Sequence, residues 1–295
     1  MLWVGAMQFI IAGLGNFYLG WQPTEKAFLR ADELEFYGAV LPDHYMWDRA
    51  EMPDKDSTVD AWVAITHLAA KSNRLKLGTL VTPIPFRPPG ILAKMVASID
   101  VISSGRTMLG VGAGWSRTEF DAYSAWVDGK TRVDMTEEGV RLILRLWEDE
   151  KVDFHGKFYN AIGAVLDPKP SQEPHPPLLF GGTSPRMLRL AGRYGDICYI
   201  PPFISNFRPE EKISFSEAKS VVDEAARKAG RRGKLAYAAG VPVVQGAFAM
   251  NLLQKDIEMA VKDRCEFYFT SFPRDTYIAT MEQFARGLLP SYAAA

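Results

Sequence analysis

Four clusters in this chain combine residue types that could do chemistry. Asp43 and His44 set a carboxylate beside an imidazole, and Trp47 follows three residues on. The carboxylate can accept a hydrogen bond from a polar heterocycle, and the imidazole can donate or relay a proton near neutral pH. The tryptophan offers a flat apolar wall for a ring. In Gly78-Thr79-Leu80-Val81-Thr82 the glycine lets a ring or another backbone approach closely, since it has no Cβ. The stiff proline-rich loop behind it carries one cation, Arg87. The glycines of Gly110-Val111-Gly112-Ala113-Gly114-Trp115 superficially look like a dinucleotide fingerprint, but the third comes one position early. They are read instead as room for a planar cofactor, with Glu119 and Asp121 beyond them as loop anchors. Finally, Gly181-Gly182-Thr183-Ser184-Pro185-Arg186 reads as a glycine-lined helix start, with Ser184 as cap and Pro185 in the first turn. Uncommitted N–H groups there make an anion site, with phosphate the natural ligand. Each cluster also has a plainer reading: a cap beside a satisfied histidine, a proline-rich turn, a capped helix.

Such residues need elements to bring them together. Apolar runs bounded by Gly or Pro alternate with segments of helical period, the pattern of repeated βα units. Strands are predicted at 6–13, 38–42, 75–81, 107–112, 177–181, 196–200, 235–244 and 265–271. Helices are predicted at 24–37, 59–71, 91–102, 137–147, 185–194, 217–229, 252–262 and 276–288. Strand and helix in regular alternation point to an α/β fold, a closed (β/α)8 TIM barrel, as a single domain over 1–295. The four clusters then fall just past the C-terminal ends of strands, where such a barrel keeps its chemistry. The longest irregular pieces are 149–176 and 201–215, lengths typical of lids or interface elements.

Composition narrows the function classes. The net charge is −1 and the charges are scattered, which indicates neither a nucleic-acid nor a membrane partner. The cysteines, Cys198 and Cys265, lack metal-ligand spacing and suit a reducing cytoplasm. No Lys or Arg precedes the apolar stretch at the N-terminus, which is read as a first strand rather than a signal peptide. His67, His155 and His175 form no recognised ligand pair, so no metal is expected.

The motifs LPDHYMW (41–47), LGTLVTPIPFRPPGILAKMVASIDVISSGR (77–106), LGVGAGW (109–115), PPLLFGGTSPRMLRLAGRYGDI (176–197) and FARGLLP (284–290) resemble those of the luciferase-like monooxygenase superfamily. The likeness is to its branch that uses the deazaflavin coenzyme F420. It spans most of the chain, loosely over 201–275. It implies a luciferase-like barrel, usually a homodimer, with the ring in the barrel mouth. Under the resemblance Asp43 hydrogen-bonds the ring and His44 lies beside its reactive centre. Leu80-Val81 corresponds to the family's strand bulge, often a non-prolyl cis peptide that backs the ring. Ala113 and Gly114 approach the ring or its ribityl chain, and Gly181, Gly182 and Thr183 hold the phosphate. Trp115 stands where the family's sugar-phosphate dehydrogenases carry a catalytic Glu, so an apolar or aromatic substrate is expected rather than glucose 6-phosphate. Trp47 and Trp115 shape the pocket, and Tyr18 or Trp21 reaches in from the first strand's loop. The expected reaction moves a hydride between the deazaflavin C5 and a small organic molecule, with His44 handling the proton. An FMN-dependent monooxygenase, a barrel acting on sugar phosphates without redox chemistry and a non-catalytic flavin-binding barrel are the alternatives.

Overall fold

The strand register closes on itself. In the computed structural model, which describes residues 7–14, 19–46, 59–200, 213–231, 233–240 and 248–292, the strands are numbered in chain order. They are β1 (Gln8–Ile11), β2 (Gly38–Leu41), β3 (Lys76–Thr79), β4 (Thr82–Pro83), β5 (Thr107–Gly112), β6 (Val152–His155) and β7 (Asn160–Ala164). β8 (Leu178–Gly181), β9 (Ile197–Tyr199), β10 (Ala236–Gly240) and β11 (Phe267–Thr270) follow. β1, β2, β3, β5, β8, β9, β10 and β11 pair in parallel, each with the next, and β11 pairs back onto β1. Among the described residues this is the closed eight-stranded barrel that the alternation predicts.

The helices packed around it are α1 (Trp21–Glu33), α2 (Ala61–Lys71), α3 (Pro89–Ile102), α4 (Arg117–Tyr123) and α5 (Gly129–Glu148). α6 (Pro185–Tyr194), α7 (Phe215–Lys228), α8 (Met250–Lys262), α9 (Tyr277–Gly287) and α10 (Leu289–Tyr292) complete the described set. None of them is long and apolar enough to cross a membrane.

Side chains alternate between two buried layers, as strand geometry requires. Phe9, Leu41, Leu77, Leu109, Phe180 and Tyr268 face the helices, while Ile10, Val40, Met108, Leu179, Tyr199 and Phe269 fill the barrel interior. The interior is a packed core and not a pore. Its C-terminal end is different: Gly112, Gly181 and Gly240 end β5, β8 and β10.

Two local expectations change. The stretch 149–176 is not irregular throughout, because β6 and β7 form an antiparallel hairpin. Glu138 of α5 clamps its turn by accepting the backbone N–H groups of Lys157, Phe158 and Tyr159. α5 also starts at Gly129 and not at 137, since Asp128 caps it by accepting the Thr131 N–H at 3.0 Å.

Candidate functional site at the C-terminal end of the barrel

Past the end of β2 the chain turns across the barrel rim, and Asp43 is its anchor. Its side chain is buried and grips Arg87 through two bonds, Nη1 to Oδ2 at 2.6 Å and Nη2 to Oδ1 at 2.8 Å. Thr82 donates to the same Oδ2 at 2.7 Å. The Thr82 hydroxyl in turn accepts the Trp62 indole N–H at 3.1 Å. Arg87 also reaches Asp60, the residue that caps α2, at 3.1 Å. Burial alone would lower the Arg87 pKa, but its hydrogen bonds to Asp43 and the neighbouring carboxylate charges hold it above its ordinary value. A bidentate pair of this kind fixes orientation as well as charge. Among the described residues Oδ2 accepts two hydrogen bonds and Oδ1 one. Arg87, expected as a loop cation, is the clasp of this segment.

His44 stands next in the chain. Its Nδ1 lies 2.8 Å from Oε2 of Glu119, whose side chain is fully buried on α4. The other carboxylate oxygen of Glu119 accepts the backbone N–H groups of Tyr45 and Met46. Glu119 therefore anchors its neighbours, as expected, and also meets the imidazole, which the sequence reading missed. The Trp115 ring packs against His44 edge to face at 5.7 Å and is 47% exposed. Tyr45 stacks on Phe86 at 5.3 Å and lies under the Arg87 guanidinium, and burial pushes its hydroxyl up to about 12.

The Leu80–Val81 peptide is cis, at the position the resemblance singles out. A Cβ on Gly110 would fall 2.0 Å from the Thr79 carbonyl oxygen, and one on Gly112 would fall 2.5 Å from the Val81 side chain. Gly181 approaches Val81 from the other side, where a Cβ would sit 3.0 Å from it. Gly110 and Gly112 thus make room for the chain's own bulge, which corrects the expectation that their space is left for a cofactor. Gly114 has φ +79° and packs on Phe120, so only glycine serves there without strain. Arg132 donates to the Gly114 carbonyl at 3.3 Å and stacks over Trp126 at 3.8 Å, which pins the Ala113–Gly114 turn.

At β8 the chain passes through Gly181, Gly182 (φ +147°) and the buried Thr183 into α6. Ser184 caps α6 by accepting the Met187 N–H, Pro185 occupies the first turn, and no acidic residue stands in that turn. The turn itself therefore sets no carboxylate against an anion at the positive end of the helix dipole. Arg186 is committed to Asp134.

The structure thus brings Asp43, His44, Leu80, Val81, Ala113, Gly114, Trp115, Gly181, Gly182 and Thr183 to the C-terminal ends of β2, β3, β5 and β8. As the first residue of α1, Trp21 packs against His67 of α2 at 5.5 Å, in the outer helix layer. Trp47 and Tyr18 lie outside the described residues. The rim also holds two groups that sequence reasoning did not name. The buried hydroxyls of Thr270 and Ser271, at the end of β11, have no hydrogen-bond partner among the described residues. Burial pushes the Cys198 and Cys265 thiols up to about 12, so both stay protonated and unreactive near neutral pH.

A model of the luciferase-like monooxygenase family matches residues 15–284, nearly the whole barrel. The chain belongs to the luciferase-like monooxygenase family. It is 29% identical over 203 residues to an F420-dependent glucose-6-phosphate dehydrogenase of Microbacterium testaceum, covering 68% of this chain and 57% of that one. It is 33% identical over 173 residues to an FMNH2-dependent dimethylsulfone monooxygenase of Pseudomonas putida, covering 58% of this chain and 45% of that one. This luciferase-like chain therefore spans about half the length of these curated relatives. Its fold superposes on a coenzyme F420-dependent tetrahydromethanopterin reductase from Methanopyrus kandleri with TM-score 0.72, at 18% identity over 98% of this chain and 99% of that one.

Proposed function

We propose that this luciferase-like protein is an F420-dependent oxidoreductase that moves a hydride between the deazaflavin C5 and a small apolar or aromatic organic substrate. The observation that carries the reading is the rim itself: the Leu80–Val81 bulge, wedged between Gly112 and Gly181, lies at the same barrel end as His44 and the glycine-led start of α6. Similarity to F420-dependent relatives supports it further.

The residues present fit such a group. Buried hydroxyls normally find a partner, and that of Ser271, just past the end of β11 at the rim, lacks one among the described residues, where the polar edge of a ring would supply it. Gly181, Gly182 and Thr183 would hold the phosphate at the α6 N-terminus, and Ala113 and Gly114 would lie along the ring or its ribityl chain. Leu80 and Val81 would back the ring, and Asp43 would meet it through Oδ1. When bound, the deazaflavin supplies the hydride-carrying carbon. The protein's share is orientation and proton handling: His44 gives or takes the accompanying proton at the substrate, while Trp115 walls the substrate side. An exposed tryptophan offers a sugar phosphate no hydrogen-bonding partner beyond its indole N–H, which supports the apolar substrate class.

A second reading, an FMN-dependent monooxygenase with oxygen as co-substrate, draws support from the 33% identity to the dimethylsulfone enzyme. Anaerobic titration of the purified protein with F420 and with FMN tests the two. Tighter binding of F420, with hydride transfer to or from a small apolar substrate, is the expected result. Tighter binding of FMN with oxygen uptake would replace the first reading by the second.

A second copy of the chain is the partner we propose. Val59, Val63 and Ile91, at the N-terminal ends of the adjacent helices α2 and α3, are 40%, 62% and 59% exposed. Val63→Glu is expected to convert a dimer to a monomer in sedimentation; a wild-type monomer ends that proposal.

A further inference from the structure

The two oxygens of the Glu119 carboxylate do different work. Oε1 accepts the Tyr45 and Met46 backbone N–H groups, and that alone would anchor the segment. Oε2 is spent on the imidazole of His44, 2.8 Å away. We infer that Glu119 is a positioning residue that fixes the His44 tautomer, so that Nε2 is the nitrogen that exchanges a proton with the substrate. The inference rests on the proposed oxidoreductase reading for the proton's destination, but the tautomer itself does not depend on it.

A carboxylate can only accept, so the group facing Oε2 must be an Nδ1–H donor. In the neutral ring this leaves a lone pair on Nε2. The Glu119 side chain is 1% exposed and that of His44 13%, so the pair is shielded on the α4 side. Trp115 flanks that ring and limits its rotation. With an alcohol as substrate, the C–H electron pair would leave as hydride to a bound deazaflavin while the O–H proton passes to Nε2 and the C–O bond becomes a carbonyl. In the reverse direction Nε2–H would return that proton to the carbonyl oxygen as the hydride reaches carbon. A ring with its proton on Nε2 and Nδ1 bare could not begin the oxidation.

Glu119→Gln isolates this role from simple anchoring. The amide oxygen still accepts the Tyr45 and Met46 N–H groups, but its NH2 faces Nδ1 and drives the ring proton to Nε2. The experiment is 15N NMR of histidine-labelled protein without cofactor, with the His44 signals assigned through a His44→Gln variant. Wild type is expected to show Nδ1 protonated and Nε2 bare, and Glu119→Gln the reverse. Turnover of Glu119→Gln is expected to fall roughly 100-fold, the order lost with a general acid–base group. Its F420 dissociation constant stays within about twofold, since no partner of a ring or phosphate is removed. A proton on Nε2 in wild type, or an unchanged tautomer and turnover in Glu119→Gln, overturns the inference. Should Glu119→Gln fail to fold, the wild-type spectrum decides alone. Failure of wild type to bind either cofactor removes the proposed function and leaves the tautomer result standing.

Discussion

Arg87→Met is expected to destabilise the protein by about 3–5 kcal/mol, the cost of stranding a buried charge by removing its partner. Asp43 is buried, and two of its hydrogen bonds come from Arg87. Methionine nearly fills the volume but leaves the carboxylate, among the described residues, with Thr82 alone. The second substitution Asp43→Asn should recover much of the loss, because it removes the stranded charge. Urea unfolding of wild type, single and double variants measures both effects. A single variant within about 1 kcal/mol of wild type would show that the pair contributes no more than an exposed one. Such an outcome would take away the reason for the 41–46 segment to hold one geometry.

His44→Ala carries the other large effect. Turnover should fall by roughly 10²–10⁴-fold, the usual share of a positioned general acid–base group. F420 affinity should hold within a few-fold, because the ring and phosphate contacts lie on other residues. Steady-state rates with a parallel binding titration separate the two quantities. Full turnover with weakened binding would move His44 from proton handling to cofactor contact.

The barrel was legible because its strands are short apolar runs and its helices carry a clear period. Leu178–Gly181 and Ile197–Tyr199 needed no tertiary information to be found. The β6–β7 hairpin was missed although Val152 and Phe154 are buried between exposed Asp153 and His155. Two such residues are too few to stand out from a loop. The first turns of α5 are polar, and only the Asp128 cap marks its true start. The backbone of the rim was legible where a local motif carries it, as at the Leu80–Val81 bulge and the glycine-led start of α6. Its side-chain pairings were hidden where the contact spans the chain: Glu119 meets His44 from 75 residues away. Arg87 meets Asp43 across 44. Spacing along the chain holds no record of such pairs. The Trp21–His67 ring contact is equally invisible along the chain, since nothing local pairs the two.

The central claim is that the start of α6 grips the phosphate of a bound F420, and Ser184→Asp tests it most directly. Aspartate caps a helix as well as serine and suits the positive end of the dipole, so folding stability should hold or rise. The added charge would face the phosphate at close range. Equilibrium titration with F420 should show wild-type binding and a loss of roughly tenfold or more in Ser184→Asp, about 1.4 kcal/mol or above. Equal affinity in the two proteins, both fully folded, would contradict the account.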